Sequence, residues 1–339
     1  MTAFPLPPAS HAQGPDTFIL PTENSNLLDG VPSAFYMYVN RDFEGEKSSP
    51  WEGGMYGFVR GPVRENNLIA YRRFHEGVDI RPIRRDKNNI PLDPVVAVAP
   101  GRVVHTSNTS GHSNYGKYVV IEHIYQNCPY YTLYAHLREI HVQPNQKVSQ
   151  GQEIAILGWT GSGLDLTRAH LHFEINLLVQ SEFEGWYQKY IPPSSPNRHG
   201  IYNGLNLTGL NPAQFFLERQ KNPALTLPQF ISQQPWFFKV AIPNPSKPLE
   251  LITRYPWLAG TAYNARPAAW EIAFTNSGFP VSATPINHPI QAPTVTAVQP
   301  SKTSLTVTTR GLLTGSQKAP RLTEAGLRLM SLIAYPQTF

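Results

Sequence analysis

Three short strings carry side chains able to bind a metal ion or to move protons: F-H-E-G-V-D-I with His75 and Asp79, L-Y-A-H-L with His136, and A-H-L-H-F-E-I with His170 and His172. Zinc accepts neutral imidazole nitrogen and carboxylate oxygen, and a catalytic zinc keeps three protein ligands and an open position. Five candidates are too many for one such ion, so two of them are expected to serve as acid–base groups. Taken singly, each string fits a hydrogen-bonded polar core residue better than a metal ligand, and the weight rests on their conjunction. Cys128 is the only cysteine, which excludes an internal disulfide and a cysteine-based zinc site.

The elements that must position these side chains are strands. In an extended strand side chains alternate faces, so His170 and His172 share one face while Leu171 and Phe173 point into a core. By the same alternation Glu174 lies on the histidine face, and Glu174 and Glu122 are both candidates to orient the rings. His75 and Asp79 also share a strand face at a separation of four, and Gly77 with β-branched Val78 and Ile80 disfavours a helix there, so the strand is expected to bend at Gly77.

From about 71 to 180 the apolar runs are short, β-branched or aromatic, and punctuated by Gly, Pro and Asn: Val95–Val98, Gly101–Thr106, Lys117–Tyr125, Tyr130–Ala135, Glu153–Leu157 and His170–Leu177. This predicts a mainly β fold, a folded antiparallel sheet or sandwich. Residues 1–59 read as an N-terminal arm and covering segment, with strand-like runs Ala34–Val39 and Met55–Val59, and residues 60–220 as the site-bearing domain. A short helix capped by Asn211 with Pro212 at its first position closes that domain. Residues 221–339 read as a small appended mixed α/β domain, with strands at Phe238–Ile242, Ala269–Phe274 and Ser304–Thr309 and a final helix capped by Thr323.

The chain has 339 residues, 41% of them hydrophobic and 15% charged, with 33 prolines and 24 glycines, as a loop-rich protein requires. No uninterrupted apolar run is long enough to span a membrane. The formal charge of +5 suits an anionic neighbour, but the basic residues are scattered apart from Arg72–Arg73 and Arg81, Arg84 and Arg85, so no nucleic-acid partner is expected. The first residues lack a basic segment followed by an apolar one, and no signal peptide is read there.

Residues 71–177 resemble the lysostaphin/LytM-type zinc metallopeptidases. The landmarks occur in that family's order: H-E-G-V-D-I, P-V-V-A-V-A-P-G-R-V-V, N-Y-G-K-Y-V-V-I-E-H, T-L-Y-A-H-L, V-S-Q-G-Q-E-I-A-I-L-G-W-T-G and A-H-L-H-F-E-I. The resemblance implies one zinc ion per chain, with His75, Asp79 and His172 as its ligands and His136 and His170 beside the reacting water. It implies a peptidoglycan endopeptidase that cuts stem or cross-bridge peptides outside the cytoplasm, periplasmic or extracellular, the sequence then being that of a mature form. Tyr71 is a candidate hydrogen-bond donor to the tetrahedral intermediate, and His123 falls where relatives often carry histidine. The stretch between Ile80 and Pro94 is longer than usual for the family and leaves the cut peptide unspecified. Two other readings stand beside this one: a non-catalytic wall-binding or hydrolase-activating module, and a latent enzyme whose arm covers the zinc with Asn24, Asn26 or Asn40.

Overall fold

The computed structural model describes residues 18–244 and 248–337, so the start of the expected arm lies outside the described residues. In chain order the strands are β1 Gly57–Glu65, β2 Leu68–His75, β3 Val78–Ile80, β4 Pro94–Val96, β5 Gly101–Ser107, β6 Tyr118–Tyr125, β7 Cys128–Ala135, β8 Glu139–Ile140, β9 Lys147–Val148, β10 Glu153–Ile156, β11 Leu171–Leu178 and β12 Leu207–Leu210. The main antiparallel sheet runs β12-β11-β7-β6-β5-β9, with β3 added beside β11, and a smaller sheet runs β4-β10-β8. The fold is mainly β with antiparallel sheets, as expected from the sequence.

Short two-residue turns set the registers. Gln126 and Asn127 take positive φ between β6 and β7, and Asn66 and Asn67 do so between β1 and β2, the mirror-type turn whose twist matches paired strands. Strand β11 is buried along its whole length. Leu171, Phe173, Ile175 and Leu177 are fully buried in the main core, and the alternate residues His172, Glu174 and Asn176 form a polar stripe that is also buried. Burial of such a stripe is offset by hydrogen bonds, which join His172 and the Asn176 amide nitrogen to Glu174 and leave Asn176 Oδ1 without a partner.

Helix α1 Pro32–Phe35 replaces the expected strand over Ala34–Val39, because Pro32 sits in the first helical turn; beyond it only Tyr36 bridges to Ile80. Helix α2 Phe183–Tyr190 was not foreseen, and its Phe183 and Trp186 are buried. Helix α3 Pro212–Lys221 matches expectation, with the Asn211 side chain accepting from the Gln214 N–H.

The remaining chain forms α4 Leu227–Ser232, β13 Phe238–Pro243, α5 Glu250–Arg254, β14 Ala269–Phe274, β15 Pro280–Ile286, β16 Thr294–Val298, α6 Leu305–Thr308, β17 Leu313–Ser316, β18 Ala319–Leu322 and α7 Glu324–Ala334. Its sheet has the order β15-β14-β13-β16, and Thr323 caps α7 by accepting from the Gly326 N–H. The expected strand over Ser304–Thr309 is instead α6: the Ser304 hydroxyl accepts from the Val307 N–H, and the Thr309 hydroxyl donates to the Leu305 carbonyl at 2.6 Å. Hydroxyl-to-backbone bonds of this kind override the β preference of threonine.

This second sheet is not tethered loosely. The buried Leu178 N–H donates to Tyr255 Oη at 2.9 Å, Trp186 Nε1 donates to Ser331 Oγ at 2.9 Å, and Gln180 Nε2 donates to the Tyr335 carbonyl at 2.8 Å. Most buried apolar side chains form one cluster running from Phe18 to Ala334, beside a smaller one that includes Tyr118, Val120, Leu133 and Leu178.

Candidate active site

The site is built across three neighbouring strands. His172 on β11 stands directly opposite Asp79 on β3 and, on its other side, opposite Ala135 on β7, whose next residue is His136. His75 ends β2, and the chain returns into β3 through Glu76 and Gly77. A Cβ on Gly77 would lie 2.3 Å from the Phe173 carbonyl oxygen, so only glycine lets that return pass so close to β11. His136 has φ of +63°, an uncommon conformation for a residue with a side chain, held by its N–H donating to the Tyr115 carbonyl at 2.9 Å.

Three ligand-type atoms converge. His75 Nε2, Asp79 Oδ1 and His172 Nδ1 lie 3.0 Å from one another. Ligands of a tetrahedral zinc at ordinary bond lengths are about 3.3–3.4 Å apart, so a modest opening of this triangle accommodates the ion. These residues form the one His/Cys/Asp/Glu group suited to a metal among the described residues. His170 Nε2 is 3.4 Å from the same Asp79 oxygen, and the His136 and His170 ring centroids are 4.8 Å apart.

Each imidazole is oriented from behind. His75 Nδ1–H donates to the Met55 carbonyl at 2.7 Å, His136 Nδ1–H to the Thr160 carbonyl at 2.8 Å, and His170 Nδ1–H to the Arg168 carbonyl at 2.6 Å. Each of these bonds leaves Nε2 with its lone pair turned to the site. His172 is turned the other way: its Nε2–H donates to Glu174 Oε1 at 2.7 Å, which frees Nδ1. Glu174 is held in turn by the Tyr115 hydroxyl at 2.7 Å and by Asn176 Nδ2 at 2.9 Å. A carboxylate behind a ligating histidine fixes its tautomer and raises its basicity, so the donor set fits a metal ion.

The charges follow from these contacts. Burial alone would raise Asp79, but His170, His75 and Arg60 hold its carboxyl well below the usual range. Burial lowers His75, and Arg60 beside it adds to that; burial and the neighbouring imidazoles hold His136 well below its ordinary value. His172 is buried too, yet hydrogen bonds to Asp79 and Glu174 raise it to about 9. Two carboxylates on His172 against one on His75 account for the contrast, and without a metal the triangle holds a proton at neutral pH.

The profile of Peptidase family M23 matches residues 73–183. Over 82 residues, 24% of this chain, the sequence is 38% identical to lipoprotein NlpD of Yersinia enterocolitica, and the match covers 75% of that protein. The chain belongs to peptidase family M23. Peptidoglycan DD-endopeptidase ShyB of Vibrio cholerae is 43% identical over 82 residues, 24% of this chain and 17% of that protein. Murein hydrolase activator NlpD of Escherichia coli is 38% identical over 81 residues, 24% of this chain and 19% of that protein. The chain thus spans less than a fifth of the length of these last two relatives.

All five site residues read from the sequence fall inside the M23 segment, and the structure brings them together. The other candidates lie elsewhere. Tyr71 sits under the Arg41 guanidinium, 4.4 Å from its ring centroid. His123 is fully buried between the Pro100 carbonyl and Thr132 Oγ1. Glu122 pairs with Arg102 at 2.7 Å, which leaves Glu174 as the orienting carboxylate. Asn24 donates to the Ala34 and Arg81 carbonyls, Asn26 to Asn24, and Asn40 accepts from the Asp42 N–H. Sequence reading missed Tyr115, Thr160 and Arg60. Arg60 lies outside the M23 match, on a hairpin announced only by Asn66–Asn67, and its Nη2 is 3.3 Å from His75 Nε2.

Proposed function

We propose that this M23 chain is a zinc-dependent endopeptidase that hydrolyses peptide bonds in peptidoglycan stem or cross-bridge peptides, acting in the periplasm or outside the cell. The observation that carries the reading is the triangle of lone-pair atoms on His75, Asp79 and His172, each backed by a partner that directs it inward. A zinc ion bound there supplies a Lewis acid for the scissile carbonyl and for the attacking water.

The chain's own residues handle the protons. His136 is kept neutral by burial and has its Nδ1–H committed to Thr160, so Nε2 is free to take the water's proton and return it to the leaving amine. His170, held by the Arg168 carbonyl and 3.4 Å from Asp79, steadies charge on the reacting carbonyl oxygen by donating from Nε2 once that atom has taken up a proton. Such acid–base assistance is worth about 10²–10⁴ in rate. Of the relatives, ShyB is a peptidoglycan DD-endopeptidase, which supports the reaction class.

A second reading, a non-catalytic activator of another wall hydrolase, is favoured by the likeness to the murein hydrolase activator NlpD. One experiment separates the two. Zinc per chain is measured, and purified cell walls of differing cross-bridge chemistry are then digested, with new termini identified by mass spectrometry. Cleavage that disappears in His136→Ala, which still binds zinc, supports the peptidase. Stoichiometric zinc without cleavage of any wall would sink the peptidase reading in favour of the activator.

A further inference from the structure

The two oxygens of Asp79 have separate surroundings. Oδ1 faces His75 and His172 at 3.0 Å and His170 at 3.4 Å, whereas Oδ2 accepts from Arg60 Nη2. Arg60 is aimed there by its strand: the β1–β2 register shifts between Phe58 and Arg60, and Gly61 takes φ of +63°. A bulge of this sort redirects a side chain beside a site. The guanidinium is fixed further back by Nε donating to the Gly53 carbonyl at 2.8 Å.

The hairpin carrying it is itself anchored. Tyr56 Oη donates to the Gly209 carbonyl at 2.8 Å, the Ser304 N–H donates to Glu65 at 2.8 Å, and Arg310 pairs with Glu76 at 2.6 Å. A guanidinium does not lose its proton in a protein, so a positive charge stands permanently at the edge of the triangle.

From this we infer that Arg60 is a positioning residue that restricts Asp79 to one metal-facing oxygen and holds down the site's affinity for a divalent cation. The inference rests on the zinc reading above. With Oδ2 engaged, only Oδ1 can bond to an ion, and a carboxylate shared with a guanidinium donates less charge to it. The nearby like charge also opposes the ion directly, which leaves a more weakly bound and more strongly polarising metal.

The test uses the full chain as wild type, Arg60→Ala and Arg60→Lys, with folding checked by circular dichroism and Arg60→Gln in reserve should the alanine variant not fold. Zinc affinity is read by competition with a chromophoric chelator, and coordination by the visible spectrum of the cobalt(II)-substituted protein. Arg60→Ala is expected to bind zinc about tenfold more tightly or better, a size in the range of effects seen for groups behind metal ligands. Its cobalt absorption is expected to weaken, as it does when both carboxylate oxygens bind and the coordination number rises. Arg60→Lys, which keeps a charge on Oδ2, is expected to stay near wild type. Either readout unchanged in the folded alanine or glutamine variant, or zinc binding weakened, overturns the inference. A wild-type protein that binds no zinc overturns the zinc reading instead, so the two failures are distinct.

Discussion

Replacing Glu174 by glutamine changes one atom in a buried network and tests what that network does. Glu174 is 1% exposed, and its two oxygens take three hydrogen bonds, from His172 and Tyr115 at 2.7 Å and from Asn176 at 2.9 Å. An amide of the same shape has one acceptor oxygen and one donor nitrogen. If the nitrogen takes the Oε1 place, it faces His172 Nε2–H, and relief requires the imidazole to move its proton to Nδ1, the atom the metal needs. If it takes the Oε2 place, it faces the Asn176 amide, and His172 keeps its tautomer but loses the negative charge behind it. Either way the ligand is weakened, and changes of this kind typically cost about 10–100-fold in metal affinity, or about 1.4–2.7 kcal/mol. The assay is competitive zinc titration at neutral pH, with imidazole titration by NMR in the metal-free protein, where His172 should fall from about 9. A folded Glu174→Gln protein with wild-type zinc affinity and an unmoved His172 would refute the argument that Glu174 sets the ligand's tautomer and basicity.

Tyr255→Phe removes the acceptor for the buried Leu178 N–H and should destabilise the whole chain by about 1–3 kcal/mol in urea unfolding while leaving zinc affinity unchanged. His123, fully buried and lowered by burial to about 4 from 6.5, is neutral in the folded protein. The unfolded chain binds that proton first, so the stability His123 contributes is complete above pH 6.5 and is lost as the pH falls toward about 4, a change of about 3 kcal/mol. Unfolding curves across that window should show the loss in wild type and a flatter profile in His123→Gln; equal slopes would remove His123 as the cause.

The sheet and the site segments were legible in the sequence because strand alternation states which side chains share a face: Leu171 and Phe173 went to the core as the pattern required. Asn211 and Thr323 announced their helices for an equally local reason, an oxygen placed to meet an orphan N–H. Other features depend on partners far away in the chain. Glu122 and Glu174 are alike as letters, and only the pairing of β11 with its neighbours puts one behind His172 and the other beside Arg102. Arg60 needed both a hairpin and a bulge before it could reach Asp79. Helix α2 was within reach of a periodicity argument, since Phe183, Trp186, Tyr187 and Tyr190 follow helical spacing.

The pairing of His172 opposite Asp79 would give a metal ion bound at the triangle a second use. Side chains repeat every two residues along a strand, so a one-residue slip of β3 against β11 turns Asp79 toward the core and dismantles the triangle. A metal ion present while the sheet assembles binds the correctly paired chain and not the slipped one, and it shifts the balance toward the former by mass action. On the zinc reading the site would thereby proofread strand register, and refolding with the ion should yield fewer misaligned molecules than refolding with a chelator.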